Sequence, residues 1–167
     1  MLIRVATSAD AAAMARVVAT VAAEGSIGAE PPVDIDARAR QFREMLENPG
    51  AGGLWVLDDQ GRVVGLAGAH DSGPVGVLSV GMALLTQARG QGAGRALLDT
   101  LLDHARACGA HKVDLEVWPD NARAIAMYTR AGFQVEGVRR AHYRRRDGSL
   151  RSTLLMAHLL DEEPGRR

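Results

Sequence analysis

The chain has 167 residues, of which 47% are hydrophobic, and this length suffices for one well-buried core. Twenty Lys and Arg balance twenty Asp and Glu, so no net charge attracts nucleic acid or an anionic membrane. Cys108 is the single cysteine, no apolar run approaches the roughly 18 residues that cross a bilayer, and the first residues lack a signal-peptide pattern. We therefore expect a cytoplasmic protein with one domain over residues 1–160, a frayed polar tail over residues 161–167, and neither nucleic acid nor membrane as a partner.

The first third of the chain predicts one strand and two helices. Residues 2–5 form a short apolar run, after which Ser8 or Asp10 is placed to cap an alanine-rich helix. A Gly- and Pro-containing loop over residues 24–34 separates this helix from a second one over residues 36–47. A loop of this length is free to border a pocket.

The remaining two thirds alternate between strand and helix patterns. Apolar residues that alternate with polar ones, or that follow one another without interruption, predict strands. Apolar residues at helical spacing, followed by a glycine that ends the pattern, predict helices. The predicted strands cover residues 54–57, 63–70, 75–85, 113–117, 133–145 and 150–158, and the predicted helices cover residues 92–107 and 121–131. This order predicts an α/β protein with a mixed sheet and helices on both faces.

A glycine-rich segment joins the third of these strands to the following helix. It consists of Arg89, Gly90, Gln91, Gly92, Ala93, Gly94 and Arg95. Glycines at a helix start let the backbone approach a ligand closely with free N–H groups, and arginines add charge-assisted donors. The spacing matches neither the dinucleotide-binding G-x-G-x-x-G nor the P-loop, and alone it is also compatible with a plain strand-to-helix turn. With the motifs below, it predicts a pyrophosphate site.

Four motifs together resemble the GNAT superfamily of N-acetyltransferases. They are Arg89-x-x-Gly92-x-Gly94, Leu115-Glu116-Val117, Asn121-x-x-Ala124-x-x-x-Tyr128 and Gly132-Phe133. The resemblance covers most of the chain and implies a three-layer fold with a central, mostly antiparallel, seven-stranded sheet. Glu136-Gly137 and Asp147-Gly148 are similar to bacterial amino-acid and small-amine N-acyltransferases, whereas the spacing from Leu115 to Tyr128 is similar to ribosomal-protein N-terminal acetyltransferases.

The resemblance implies acetyl-CoA as co-substrate, bound between splayed strands near Leu84 and Val117. Pantetheine would pair with the backbone of Met82, Ala83 and Leu84, and the pyrophosphate would lie on residues 89–95, with Asn121 nearby. Asn121 is equally placed to cap a helix. The five histidines and Cys108 lack metal-ligand spacing, so no metal is expected.

Two residues are candidates for the chemistry of acetyl transfer. A neutral tyrosine can protonate the leaving thiolate, and we expect Tyr128 to do so, the alternative being a core aromatic with a bonded hydroxyl. The attacking amine must lose a proton, and Glu116, alternating with apolar neighbours, is our first choice of base through water. Strand alternation alone allows Glu116 to be a surface carboxylate instead.

The acceptor side is less defined by the sequence. Glu24, Glu30 and His70 are reserve candidates for the base, and the alternative role of the two glutamates is to bind a substrate cation. Five arginines between Arg139 and Arg146 predict a solvated hairpin edge first, a substrate-carboxylate site second and nucleic-acid binding third. The acceptor is expected to be a small amine or amino acid, and a protein N-terminus is the alternative acceptor. The alternative function is a non-catalytic acyl-CoA-binding sensor. The expected assembly is a homodimer, because two-fold dimers are common.

Overall fold

The computed structural model describes residues 1–160, so the predicted polar tail over residues 161–167 lies outside the described residues. Seven strands and four α-helices of the described residues follow one another in the predicted order. They are β1 Leu2–Val5, α1 Ala11–Ala23, α2 Ile35–Glu47, β2 Gly53–Asp59, β3 Arg62–Asp71, β4 Val77–Leu84, α3 Ala93–Ala107, β5 Lys112–Val117, α4 Ala122–Arg130, β6 Gln134–Arg144 and β7 Leu150–Leu159. The bounds agree with the sequence predictions to within two residues.

The strands form one seven-stranded sheet in the order β1-β2-β3-β4-β5-β7-β6. Among the described strands, β4 and β5 are parallel and every other neighbouring pair is antiparallel. One apolar cluster joins α1 and α2 to the sheet, and a second joins α3 and α4 to it. The predicted three-layer arrangement with helices on both faces is therefore confirmed.

A charged cluster secures the start of α1. The Asp10 carboxylate receives two hydrogen bonds from the Arg4 guanidinium, both 2.8 Å long, and a third from the Thr7 N–H. The bonds from Arg4 hold the pKa of Asp10 well below its usual range. Asp10 is 8% exposed, so the pair fixes the orientation of α1 against the sheet.

The sheet opens at its centre, where β4 and β5 separate. They pair over only three positions, from Val77 opposite Lys112 to Ser79 opposite Asp114. Beyond them, β4 stays paired with β3 up to Leu84, and β5 stays paired with β7 up to Val117. The two central strands therefore diverge, and the free edge of each faces a gap.

Candidate active site

A cavity of about 730 Å³ lies at this gap. Its walls come from both faces of the sheet: from α3, α4 and the turn before α3 on one face, and from α1, α2 and the loop between them on the other. Val18 and Val21 of α1 line it, and so do Ala124 and Met127 of α4. Because the two helical layers lie on opposite faces, the cavity passes through the sheet. We call the α3/α4 face the cofactor side and the α1/α2 face the acceptor side.

The glycine-rich turn forms the wall of the cofactor side. Gly90 and Gly92 both have φ of 81°, a left-handed conformation that favours glycine. Helix α3 begins at Ala93, and no side chain of residues 1–160 caps it. The first-turn N–H groups have no acceptor inside the helix, and their partial positive charge favours an anion. The predicted turn thus has the geometry of an anion-binding site.

The third glycine of the turn has a packing role. A Cβ atom at Gly94 would lie 3.2 Å from Met127 Sδ, tighter than an ordinary contact, so glycine lets α3 and α4 approach closely beside the cavity. Ala93 is buried beneath this helix start, and the Gln91 side chain turns back to the Gln87 carbonyl oxygen at 2.9 Å. Neither Gln91 nor Ala93 lines the cavity with its side chain, so only their backbone N–H groups are candidates for ligand binding.

Three arginines surround this turn. Arg95 forms an ion pair with Asp99 one helical turn later, at 2.8 Å. Arg123, in the first turn of α4, places its Nη2 atom 3.5 Å from where a Cβ of Gly90 would stand. Arg123 was not among the site residues predicted from the sequence, although its position two residues after Asn121 puts it at the helix start that faces the cavity.

Arg89 connects the turn to two other parts of the cavity. Its Nε and Nη2 atoms donate to the Leu84 carbonyl oxygen at 2.8 and 2.6 Å, and Nη2 also donates to Glu24 Oε2. Glu24 follows the last residue of α1 on the acceptor side. The guanidinium therefore holds the end of β4 and ties the acceptor-side loop to the turn.

The free edge of β4 offers backbone groups to the cavity. Leu85 N donates to Val64 O at 2.9 Å, which makes Leu84 and Gly65 a non-hydrogen-bonded pair of the antiparallel ladder. The N–H groups of Leu84 and, two residues earlier, Met82 therefore point away from β3 and toward the gap. Ala83 pairs with Leu66 within the sheet, and the Leu84 carbonyl oxygen is bound by Arg89, so the free edge groups at the three predicted positions are those of Met82 and the Leu84 N–H.

Tyr128 lies on the cofactor side, within α4. It is 7% exposed, its ring packs against Phe133 at 5.7 Å, and it lines the cavity. Burial raises the pKa of Tyr128 to about 12, which keeps the hydroxyl protonated. Within residues 1–160 this hydroxyl forms no hydrogen bond, in contrast to a core tyrosine with a bonded hydroxyl.

Glu116 lies across the sheet from Tyr128. Its neighbours Leu115 and Val117 belong to the α3/α4 cluster, so alternation along β5 directs Glu116 to the acceptor side, where it lines the cavity. Arg139 Nη1 donates to its Oε1 atom and Tyr143 Oη donates to its Oε2 atom, at 2.5 and 2.7 Å. Two partners on β6 therefore hold the carboxylate at the cavity wall.

Trp118 completes the wall beside Glu116. Its ring packs edge-on against Tyr143 at 5.3 Å, and the Arg151 guanidinium lies over it at 4.3 Å. The residue is 4% exposed, and its Nε1–H is the one buried side-chain polar atom of residues 1–160 without a partner. Neither Trp118 nor Tyr143 was among the site residues predicted from the sequence.

Asn121 performs the predicted capping role. Its Oδ1 atom accepts from the Ala124 N–H at 3.2 Å at the start of α4, and its Nδ2 atom lies 3.5 Å from the Ser26 carbonyl oxygen. The side chain also lines the cavity. It therefore joins the cofactor-side helix to the acceptor-side loop.

The three reserve candidates do not come together in the cavity. Glu24 is bound to Arg89, and Glu30 accepts from the Arg146 N–H at 2.6 Å and lies 3.6 Å from Arg145 Nε. Both carboxylates are thus paired with cations of the chain itself, and the structure places neither in the cavity lining. His70 lines a separate cavity of about 180 Å³ next to Asp71.

The arginine-rich hairpin between β6 and β7 contacts the acceptor-side loop. Arg145 donates to the Gly28 carbonyl oxygen at 3.2 Å, and Arg146 donates to the Pro31 carbonyl oxygen at 3.0 Å. Arg151 donates to the Gly25 carbonyl oxygen at 3.1 Å. This part of the hairpin is therefore a support for the loop, whereas the sequence predicted a solvated edge.

Comparison with known proteins identifies the class. The sequence profile of the Acetyltransferase (GNAT) family matches residues 22–133, which run from the end of α1 through the turn, β5 and α4. The chain belongs to this family, as its motifs predicted. No curated protein gave a match.

Solved structures share the whole architecture. A ribosomal-protein-alanine N-acetyltransferase from Brucella melitensis has 26% identity and a TM-score of 0.85, over 96% of this chain and 100% of its own. The structure of yncA from Salmonella typhimurium, a putative acetyltransferase with its cofactor acetyl-CoA, has 26% identity and a TM-score of 0.84, over 100% and 98%. A GNAT superfamily phosphinothricin acetyltransferase from Sinorhizobium meliloti, in complex with acetyl-CoA, shares the fold at 24% identity and a TM-score of 0.77, over 99% and 91%.

Residues 1–160 contain no group of three or more His, Cys, Asp or Glu side chains arranged to hold a metal ion. In the same residues, no helix combines the length and the apolar character needed to span a membrane.

Proposed function

We propose that the protein transfers an acetyl group from acetyl-CoA to the primary amine of a small molecule or amino acid, by direct attack in a ternary complex. The observation that carries this proposal is the cavity through the sheet, which has an anion-binding turn on one face and a positioned carboxylate on the other. Two substrates that enter from opposite faces meet at the gap between β4 and β5. Their meeting requires no covalent intermediate on the protein.

The cofactor side fits acetyl-CoA. Backbone N–H groups of residues 90–95 and the guanidinium of Arg123 would hold the pyrophosphate. The free edge of β4 at Met82 would pair with a pantetheine amide as an added strand does. The Leu84 N–H also faces the gap, where it would stabilise the negative charge that develops on the thioester oxygen during attack.

Tyr128 is the proposed acid. When the amine nitrogen bonds to the acetyl carbon and the carbon–sulfur bond breaks, the electron pair remains on sulfur, and the Tyr128 hydroxyl supplies a proton there. A pKa of about 12 keeps this proton in place at neutral pH. Burial raises the pKa of Tyr128, and it also raises the pKa of a CoA thiol in the same environment. The pKa values of the proton donor and of the protonated leaving group therefore stay close to each other.

Glu116 is the proposed base, acting through a water molecule. An alkyl ammonium has a pKa near 10.4 and no lone pair, so the acceptor must lose a proton before or during attack. Glu116 lies on the acceptor side, opposite Tyr128, which separates the group that takes a proton from the group that gives one. Arg139 and Tyr143 hold its carboxylate in place.

A protein N-terminus is the second candidate acceptor. It is favoured by the likeness to the ribosomal-protein-alanine N-acetyltransferase at 26% identity over 96% of this chain. Such an acceptor presents its amine at the end of a peptide, so it requires an acceptor side that is open to an extended chain.

The first test measures release of CoA thiol from acetyl-CoA by the purified protein. Amino acids, polyamines, aminoglycosides and short peptides serve as acceptors, and calorimetry measures the binding of acetyl-CoA alone. We expect binding, and release with amino acids or small amines. Release with peptides alone would establish the second candidate, and absence of acetyl-CoA binding would overturn the proposal.

We further propose that the enzyme is a cytoplasmic homodimer. Val135 and Val138 of the sheet-edge strand β6 are 55% and 53% exposed, and apolar residues at an edge favour association. Light scattering after size exclusion should give twice the 17.7 kDa chain mass. The monomer mass would exclude the dimer, and recovery outside the cytoplasmic fraction would exclude the location.

A further inference from the structure

Arg38 is a half-buried cation on the acceptor side of the cavity. It belongs to the first turns of α2 and lines the cavity together with the loop residues Ile27, Gly28 and Ala29. Its side chain forms no ion pair or hydrogen bond with any group of residues 1–160. The guanidinium therefore remains available to a ligand.

The carboxylates around the acceptor side are already paired with other arginines. The pairs are Glu24 with Arg89, Glu30 with Arg145, Glu116 with Arg139 and Asp120 with Arg151. Among residues 1–160, Glu116 is the one carboxylate that lines the cavity, and a cationic acceptor would have to compete with Arg139 for it. Arg38 is the acceptor-side lining residue whose charge has no partner within the described residues.

The surroundings of Arg38 strengthen its attraction for an anion. Val18, Val21 and Leu66 line the same side of the cavity, and apolar walls exclude water that would otherwise screen the charge. A guanidinium has a planar set of donors that matches a carboxylate with two parallel hydrogen bonds. The apolar walls suit an aliphatic side chain.

We propose that Arg38 binds the carboxylate of the acceptor, and that the acceptor is a free amino acid. This inference rests on the proposed acetyl transfer and narrows its substrate class. A peptide or protein N-terminus has an amide in place of that carboxylate, and a polyamine has a further cation, so both lose the contact with Arg38. Arg38 is then a specificity-determining residue rather than part of the acetyl-transfer step.

The experiment compares amino acids with their amides. Acetyl transfer is measured as kcat/KM for aliphatic amino acids and for the corresponding amides, at one pH, in the wild-type protein and in Arg38→Gln. Arg40→Gln is the matched control, since Arg40 lies on the same helix with the same charge but is exposed and outside the cavity. Circular dichroism verifies the fold of each variant.

We expect Arg38→Gln to lower the ratio of kcat/KM for acid over amide by about ten- to a hundredfold, as loss of a charge-assisted hydrogen bond implies. The KM for acetyl-CoA should stay unchanged, Arg38→Lys should restore part of the ratio, and Arg40→Gln should leave it as in the wild type. An equal loss for acid and amide, or no loss, would overturn the inference.

A binding measurement separates this inference from the proposed function. Tryptophan fluorescence follows titration of the CoA-bound protein with N-acetyl amino acids and with their amides, and it requires no turnover. Tighter binding of the acids that disappears in Arg38→Gln supports the inference, and equal binding of acids and amides overturns it. Transfer without a preference for acids would overturn the inference alone, whereas absence of acetyl-CoA binding would overturn the proposed function.

Discussion

The two sides of the cavity are built from different parts of the chain. On the cofactor side, backbone N–H groups of one contiguous segment, residues 89–95, lie next to the free edge of the strand that precedes it. On the acceptor side, side chains from distant segments meet, as when Arg145 reaches the Gly28 carbonyl oxygen across 117 positions of the sequence. The cofactor side therefore depends on local backbone geometry, and the acceptor side depends on tertiary contacts. Substitutions can test whether the two sides are as separable as this difference implies.

The largest expected effect is on the cofactor side, in Gly92→Val. Gly92 has φ of 81° and open space around its Cβ position, so valine strains the turn and projects into the ligand site without striking the protein. Loss of two charge-assisted hydrogen bonds predicts about a 10³-fold weaker affinity for acetyl-CoA, measured by calorimetry.

Gly109→Val is the control for backbone strain. Gly109 has φ of 73° and equally open surroundings, but it lies beyond the opposite end of α3. Both variants should lose similar stability, and Gly109→Val alone should retain wild-type affinity. Unchanged affinity in Gly92→Val would refute the assignment of the turn.

Removal of the Tyr128 hydroxyl should affect turnover rather than binding. In Tyr128→Phe we expect kcat to fall about 10²-fold, the low end for loss of a general acid, with acetyl-CoA affinity within about twofold of the wild type. Since the pKa of Tyr128 is about 12, the wild-type kcat should show no loss from this group up to pH 10. Equal turnover in the variant would make Tyr128 a packing residue.

A smaller effect is expected on the acceptor side, in Glu116→Gln. Because Glu116 is proposed to act through water, we expect kcat to fall about tenfold, below the usual range for direct proton transfer. Asp114→Asn is the matched control, on the same strand and the same sheet face but outside the cavity lining. A similar loss in both variants would indicate a general effect of charge on β5, and weaker acetyl-CoA binding in Glu116→Gln would show that the two sides are coupled.

The smallest effect on activity is expected at Asp10, which belongs to neither side. Asp10→Asn breaks the pair with Arg4 and should lower stability by about 1–2 kcal/mol, or a few degrees in Tm, with kcat unchanged. The folded-state pKa of Asp10 is depressed, so its contribution is present above the unfolded pKa near 3.9 and is lost as pH falls below it. The Tm difference should therefore shrink below about pH 4, and a difference that is constant with pH would contradict the ion pair.

The difference between local backbone geometry on one side and tertiary contacts on the other also explains which parts of the site could be predicted from the sequence. The turn and the strand before it follow from glycine placement and local periodicity, and the structure has both. Tyr128 and Glu116 were selected with the help of the family motifs, and both line the cavity. Arg38 and Arg123 were missed because no local pattern distinguishes an arginine that faces a cavity from one that faces solvent. Glu24 and Glu30 were expected to meet a substrate cation, but their arginine partners lie at least 65 positions away in the chain, where periodicity carries no information.

The gap between β4 and β5 bears on how new specificities arise on this scaffold. The residues proposed to bind acetyl-CoA and the residues proposed to select the acceptor lie on opposite faces of one sheet, in different segments of the chain. Drift or deliberate randomisation at Val18, Val21 and Arg38 would alter the acceptor repertoire and leave the donor site in place. A library confined to α1, α2 and the loop between them is thus a direct route to acetyltransferases with chosen substrates.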